Sequence, residues 1–370
     1  MHAKPKPRHF ERDNVKAMEG YVPGTQPGDL AMLKLNTNEN PYPPNPAVLA
    51  ALGGVEGELL RRYPDPSALP FRQLAAEVHG LTPEQVIAVN GSDELLRLAI
   101  ATFVPPGEPI GLIDPSYSLY STLAAAHGSP VVGAEPDADF APPADLAERM
   151  NRAGVRLLFL VNPHAPSGQL TLLDRVEALA RDFEGVLLLD EAYVDFVDPA
   201  LGYDALPLCR QLDNLLVLRT FSKGYSLAGL RFGYGMGAPS LIEPMLWKTR
   251  DSYNVDAISQ RLAAVALEHR AEAAAHWLTI RQQREALAAA LRALGFVVPP
   301  SQTNFLLAKV PEPIAAPVLQ QALARAGILV RYFDAPRLRE SLRITVGTPE
   351  QNRRLLEALA QALSALPSSG

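Results

Sequence analysis

Five short apolar runs recur along the chain up to about residue 220, and each ends in polar, turn-forming residues. Val86-Ile87-Ala88-Val89 leads into Asn90-Gly91-Ser92-Asp93-Glu94, and residues 109–113 lead into Asp114-Pro115-Ser116-Tyr117. Residues 155–161 lead into Asn162-Pro163-His164-Ala165-Pro166-Ser167-Gly168. Residues 185–189 deliver Asp190-Glu191-Ala192-Tyr193, and residues 214–218 deliver Thr220-Phe221-Ser222-Lys223-Gly224. Apolar at nearly every position, such runs read as strands covered on both faces, with helical patterns between most of them. That alternation predicts an α/β domain with a mostly parallel sheet, whose ligand crevice lies outside the carboxyl ends of its strands.

Two other stretches break the pattern. From Tyr21 to Asn45 the chain is rich in Pro, Gly and Asn, which predicts extended, turn-laden chain with no core of its own. Residues 61–66 form a similar rigid loop before a helix at about 70–79. Beyond about residue 235 a long Ala-rich helical region, 256–294, precedes strands at 304–310, 328–332 and 341–346. Thr348-Pro349-Glu350-Gln351 is a capping box with proline at its first helical position, and it opens a last helix. These elements read as a second, α+β domain. The division expected is 1–40 as an arm and part of the small domain, 41–255 as the large domain and 256–370 as the small domain.

Composition narrows the partners. A chain of 370 residues can bury a large core, and its formal net charge of −6 argues against nucleic acid. Lys4, Lys6, Arg8, Arg12 and Lys16 form a short basic arm, read as a solvated or subunit-clasping tail. No apolar run approaches the ~18–20 residues that span a bilayer, and the N-terminus lacks the apolar core of a signal peptide. Cys209 is the only cysteine, read as a buried, inert thiol. His269 and His276 have no accompanying carboxylate or cysteine set, so no metal site is expected. The expected location is the cytoplasm.

The chemistry concentrates around Lys223. Desolvation at the edge of an apolar sheet lowers a lysine pKa toward that of a usable amine nucleophile. Thr220, Ser222 and Arg231 surround it with the makings of a phosphate clamp. A nucleophilic amine beside a phosphate clamp is what pyridoxal 5′-phosphate needs. Gly91-Ser92-Asp93-Glu94 offers free N–H groups at a helix start, suited to phosphate, although the same residues also read as a plain N-cap. Asp190 ends an apolar run and needs a partner, which the ring nitrogen of that cofactor would supply. Tyr193 and Asn162 could reach the ring oxygen, and Tyr117 offers a face to stack on the ring. Arg331 and Arg343, near strand ends, would bind a doubly charged anion.

Taken together, TFSKGYSLAGLRFGY, DEAYVDF and Tyr253-Asn254-Val255 resemble the histidinol-phosphate aminotransferase family of fold-type-I pyridoxal-phosphate enzymes. The likeness runs from Tyr21-Val22-Pro23-Gly24 to Leu342-Arg343-Ile344-Thr345-Val346-Gly347-Thr348. It implies a mostly parallel seven-stranded sheet between helices plus a smaller α+β domain. It implies Lys223 as the Schiff-base lysine and proton shuttle, Asp190 on the ring nitrogen, Asn162 and Tyr193 on the ring oxygen, and Tyr117 on the ring. Ser92, Asp93, Thr220, Ser222 and Arg231 would hold the cofactor phosphate, and Tyr63 would reach it from the other subunit of a homodimer. Tyr21, Asn38, Arg331 and Arg343 match substrate-side positions. The implied reaction is transamination of L-histidinol phosphate with 2-oxoglutarate, giving imidazole-acetol phosphate and glutamate in histidine biosynthesis.

Two departures stand out. The loop the family writes as Asn-Pro-Asn-Asn-Pro-Thr-Gly is NPHAPSG here, with His164 and Ala165 replacing two asparagines, and Ser252 stands where proline is common. Shared motifs leave open a threonine-phosphate decarboxylase or an aromatic amino-acid aminotransferase on the same scaffold. A cofactor-sensing regulator would need a DNA-binding segment ahead of Tyr21, where only about twenty residues stand. No strand is followed by the Gly-x-Gly-x-x-Gly turn of a nicotinamide enzyme.

Overall fold

The computed structural model describes residues 10–29 and 31–365. Two sheets organise it. After β1 (Leu33–Leu35) come β2 (Val86–Val89), β3 (Ile110–Ile113), β4 (Val131–Ala134), β5 (Leu157–Val161), β6 (Val186–Asp190), β7 (Leu215–Thr220) and β8 (Gly233–Gly237). The last three strands are β9 (Phe305–Lys309), β10 (Ile328–Tyr332) and β11 (Ser341–Thr345). The larger sheet has seven strands in the order β2-β8-β7-β6-β5-β3-β4. Only β8 runs against its neighbours; β4, β3, β5, β6 and β7 are parallel.

Each of the five apolar runs anticipated as a strand is one, buried at nearly every position in this sheet, with Val86–Val89 at its edge. Leu187, Leu188 and Leu189 of β6 have no exposed surface, and such burial stabilises the fold by about 1.5–3 kcal/mol per leucine. The hydrophobic pattern did not reveal β4 and β8. Strand β4 is short and half-exposed at the sheet edge. Strand β8 reads Gly-Tyr-Gly-Met-Gly and is buried throughout. Its glycines are there for contact: a Cβ on Gly235 would lie 2.7 Å from Leu95 Cδ2 of the covering helix.

The smaller sheet has the order β1-β10-β11-β9. Strand β1 pairs parallel with β10, so part of the extended N-terminal stretch docks onto an edge formed some 300 residues later. The Ala-rich region is two helices, Ala257–Glu268 and Arg270–Ala293, divided at His269. The last helix, Pro349–Ala365, starts at the expected box. Gln351 N donates to Thr348 Oγ1 at 3.3 Å and Thr348 N donates to Gln351 Oε1 at 2.9 Å.

Of the basic arm, Lys4, Lys6 and Arg8 lie outside the described residues. Arg12 is not simply solvated. Arg12 Nη2 and Asn14 Nδ2 donate to Ala126 O (2.7 Å) and Ala125 O (2.8 Å), carbonyls at the end of helix Leu119–His127. Cys209 is buried, and burial pushes its thiol up to about 12. Among the described residues no helix is long and apolar enough to cross a membrane, and no His, Cys, Asp and Glu side chains cluster for a metal.

Candidate active site

The carboxyl ends of the parallel strands and the edge of the smaller sheet enclose a cavity of about 620 Å³. Every residue assigned from the sequence to cofactor or substrate lines it except Asn162 and Tyr63.

Strand register explains which side chains enter. Val161 and Asp190 are level across β5 and β6, and Asp190 is level with Leu218 on β7. Side chains alternate along a strand, so Val161, Asp190 and Thr220 face the cavity while Asn162, Glu191 and Arg219 face the other way. On that rear face Glu191 Oε2 and Arg219 Nη2 form a buried ion pair at 2.9 Å, which locks the two strand ends together. Asn162 belongs to this rear face, which corrects the expectation that it reaches the ring oxygen. Its Nδ2 donates to Thr171 O (2.9 Å) and Tyr203 Oη (2.8 Å), and its Oδ1 accepts from Thr171 N (2.8 Å). Ala165 and Pro166 of the same loop stand on the cavity wall instead.

Lys223 follows β7, and its Nζ donates to Thr37 O at 3.0 Å. Its backbone carbonyl accepts from Asn40 Nδ2 at 3.1 Å, and the next carbonyl, that of Gly224, accepts from Trp277 Nε1 at 2.7 Å. Burial, with the Arg343 guanidinium adding to it, lowers the Lys223 amine to about 8. Asp190 is shifted the opposite way: burial raises its carboxyl to about 6, partly offset by Tyr120 and the Ala192 amide. Tyr120 Oη donates to Oδ2 at 2.7 Å and Ala192 N to Oδ1 at 3.0 Å. Among the described residues no cation pairs with this carboxylate, so a cationic ring nitrogen would suit it. Tyr193 Oη accepts from Asn38 Nδ2 at 2.9 Å, and the Lys223 Nζ lies 6.0 Å from the Tyr193 ring centroid.

At one end of the cavity, helix Ser92–Phe103 presents its N-terminus beside Thr220, Ser222 and Arg231. Arg231 Nη1 is 3.5 Å from Ser222 Oγ, Arg231 Nη2 is 3.3 Å from Asp93 Oδ2, and Thr220 Oγ1 donates to Ser222 Oγ at 3.0 Å. Gly91 has φ +74° and a Cβ there would lie 2.6 Å from Arg231 Nη2, so only glycine leaves room for the guanidinium. Amides at a helix start, hydroxyls and an arginine form an anion cradle that fits a phosphate.

At the other end Arg331 and Arg343 are cross-strand partners on β10 and β11. Their guanidinium carbons lie 5.1 and 5.2 Å from the Phe333 ring. Arg343 Nη2 donates to Asn36 O at 3.2 Å, while its Nε is buried without a partner. Two adjacent cations with a free buried donor make a site for a second anion. Tyr117 lies between the two ends, edge-on to Tyr21 (5.9 Å) and Tyr120 (5.5 Å). Tyr63 is 81 % exposed and stacks on Tyr253 at 4.4 Å, outside its own cavity.

This fold and this cavity are those of the class I and II aminotransferases, whose family model matches residues 31–359. Histidinol-phosphate aminotransferase 1 of Trichormus variabilis is 43 % identical over 96 % of this chain and 99 % of its own. The histidinol-phosphate aminotransferase of Geobacter sulfurreducens is 43 % identical over 95 % of this chain and 98 % of its own. The solved histidinol-phosphate aminotransferase of Sinorhizobium meliloti, in complex with pyridoxal-5′-phosphate, superposes with a TM-score of 0.89 at 25 % identity, covering 98 % of this chain and 100 % of that one. The chain belongs to the histidinol-phosphate aminotransferase family.

Sequence reading missed Tyr120, Thr37, Asn40 and Trp277. Tyr120 sits three residues after Tyr117, in the first turn of helix Leu119–His127, which is a local signal. The others come from distant parts of the chain, and nothing local marks them.

Proposed function

We propose that this chain holds pyridoxal 5′-phosphate in the cavity and transfers the amino group of L-histidinol phosphate to 2-oxoglutarate, giving imidazole-acetol phosphate and glutamate for histidine biosynthesis. The observation that carries the reading is a lysine amine lowered to about 8 between two separate anion cradles, beside a buried carboxylate raised to about 6. When bound, the cofactor supplies an aldehyde that takes up the amino group and a ring that withdraws electrons from the substrate α-carbon.

The chain's own groups do the rest. Lys223 Nζ holds the cofactor and then carries the proton to and from the substrate α-carbon. Asp190 keeps the ring nitrogen protonated, and Tyr193 donates to the ring oxygen without help from Asn162. Tyr117 covers the ring. Ser92, Asp93, Thr220, Ser222 and Arg231 bind the cofactor phosphate. Arg331 and Arg343, with Tyr21 and Asn38, bind the phosphate of the first substrate and then the distal carboxylate of the second.

Exposed Tyr63 fits a homodimer in which it reaches the partner's cofactor phosphate. We also read the chain as a large domain (41–255) and a small one (256–370, with the N-terminal stretch docked on it), working in the cytoplasm. Assays with 2-oxoglutarate and three donors test the substrate. Glutamate formation from histidinol phosphate, with far slower turnover of phenylalanine, is expected. Carbon dioxide release from threonine phosphate would instead make the chain a decarboxylase.

A further inference from the structure

His164 stands where the family pattern of the NPHAPSG loop has an asparagine, and it is only 3 % exposed. Its Nε2 lies 3.0 Å from Pro115 O and its Nδ1 lies 2.7 Å from Ser167 Oγ. A carbonyl only accepts, so Nε2 carries the hydrogen and Nδ1 accepts from the serine hydroxyl. Burial holds the ring neutral, lowering it to about 4. Both ring nitrogens are thereby used.

The two segments so joined follow the neighbouring strands β5 and β3, and both line the cavity. Ala165 and Pro166 follow His164, and Pro115 stands two residues before Tyr117. A third segment leans on the same imidazole. Phe140 stacks on it with ring centroids 5.8 Å apart, and the Arg337 guanidinium carbon sits 4.3 Å from the Phe140 ring. Arg337 also donates to Pro136 O (2.8 Å), Asp137 O (2.6 Å) and Ala138 O (3.1 Å). Phe140 and Arg337 have φ of 63° and 65°, a conformation that non-glycine residues keep only where contacts fix it. Arg337 belongs to the connection between β10 and β11, which also brings Phe333, Ala335 and Leu338 to the cavity. A contact chain therefore runs from the strands bearing Arg331 and Arg343, through Arg337, Phe140 and His164, to the turn that carries Tyr117.

We propose that His164 is a positioning residue for Tyr117, and that Arg337, through Phe140, ties this position to the β10–β11 connection on the substrate side. The inference rests on the reading that Tyr117 covers the bound cofactor. Its consequence is that loosening Arg337, which does not line the cavity, alters how the cofactor is held.

Visible circular dichroism of the bound cofactor reads its asymmetric setting directly. Four holoenzyme variants are compared with the parent: Arg337→Met, His164→Leu, His164→Gln and the Arg337→Met/His164→Leu double variant. Gln restores a donor near the position of Nε2, and Leu fills the space without one. A changed cofactor band is expected in Arg337→Met and His164→Leu, with a roughly fivefold to tenfold loss of kcat, the size of one lost buried hydrogen bond. KM for the phosphorylated substrate should stay near the parent value, and His164→Gln should recover most of the band. The double variant should be little worse than either single one, since both break one chain.

An unchanged band in Arg337→Met, an effect on KM alone, or independent effects in the double variant would overturn the proposal. Arg337 is exposed, so its variant reports even if His164→Leu fails to fold. A parent that binds no cofactor would refute the functional reading itself, a different outcome from variants that bind it unaltered.

Discussion

At Lys223 and Asp190 the same cause, burial, moves two groups in opposite directions, because desolvation disfavours whichever form is charged. The amine falls from 10.5 to about 8 and the carboxyl rises from 3.8 to about 6. In the apoenzyme Lys223 should therefore acylate with an apparent pKa near 8 in competitive labelling; titration with the surface lysines would refute this. Stability follows by linkage. Between about 8 and 10.5 the folded state holds fewer protons on Lys223 than the unfolded state, so this group's contribution rises with pH through that window. Between about 4 and 6 the folded state holds more protons on Asp190, so its contribution falls as pH rises. Asp190→Ala should retain the cofactor's absorption but lose about 10²–10³-fold in kcat, the scale of a lost electrostatic partner; near-normal turnover would remove its role.

The period-two alternation of strands decides what local motifs leave open. Asp190 was legible because it ends an apolar run and no charge follows on its face. Asn162 looked equivalent, yet it lies one position past the level of Asp190 and turns to the rear. The loop pattern identified the crevice but not the parity of each side chain. Asn162→Ala should leave the cofactor spectrum intact and cost roughly 1–3 kcal/mol of stability, since it strands a buried amide and hydroxyl; a shifted spectrum would restore the ring-oxygen role. Thr348→Ala removes the cap of the last helix and should cost about 1 kcal/mol in denaturant titration with kcat unchanged. Helix ends of this kind were readable because a capping box is a local signal, whereas β8, rich in glycine, gave no hydrophobic period at all.

On the scale of the molecule, the cavity depends on segments far apart in the chain. Strand β1 pairs with β10, and Asn38 reaches Tyr193 and Thr345 across hundreds of residues. Such pairings left no mark in the hydrophobic pattern; the family resemblance implied only that residues 1–40 hold part of the small domain and that Asn38 stands on the substrate side. If Tyr63 serves the partner's site, a Lys223→Ala chain mixed with a Tyr63→Phe chain forms hybrid dimers with one fully native site. Native cofactor affinity should then return in one of the two sites of each hybrid dimer. No recovery would place Tyr63 in its own chain's site.

The measurement that bears most directly on the whole account is a half-reaction. Holoenzyme is mixed with L-histidinol phosphate, without 2-oxoglutarate, and the absorption of the bound cofactor is followed. The resting band should disappear as pyridoxamine phosphate forms, with little response to unphosphorylated histidinol and none in Lys223→Ala. An unchanged band with histidinol phosphate, or an equal response without the phosphate, would contradict it.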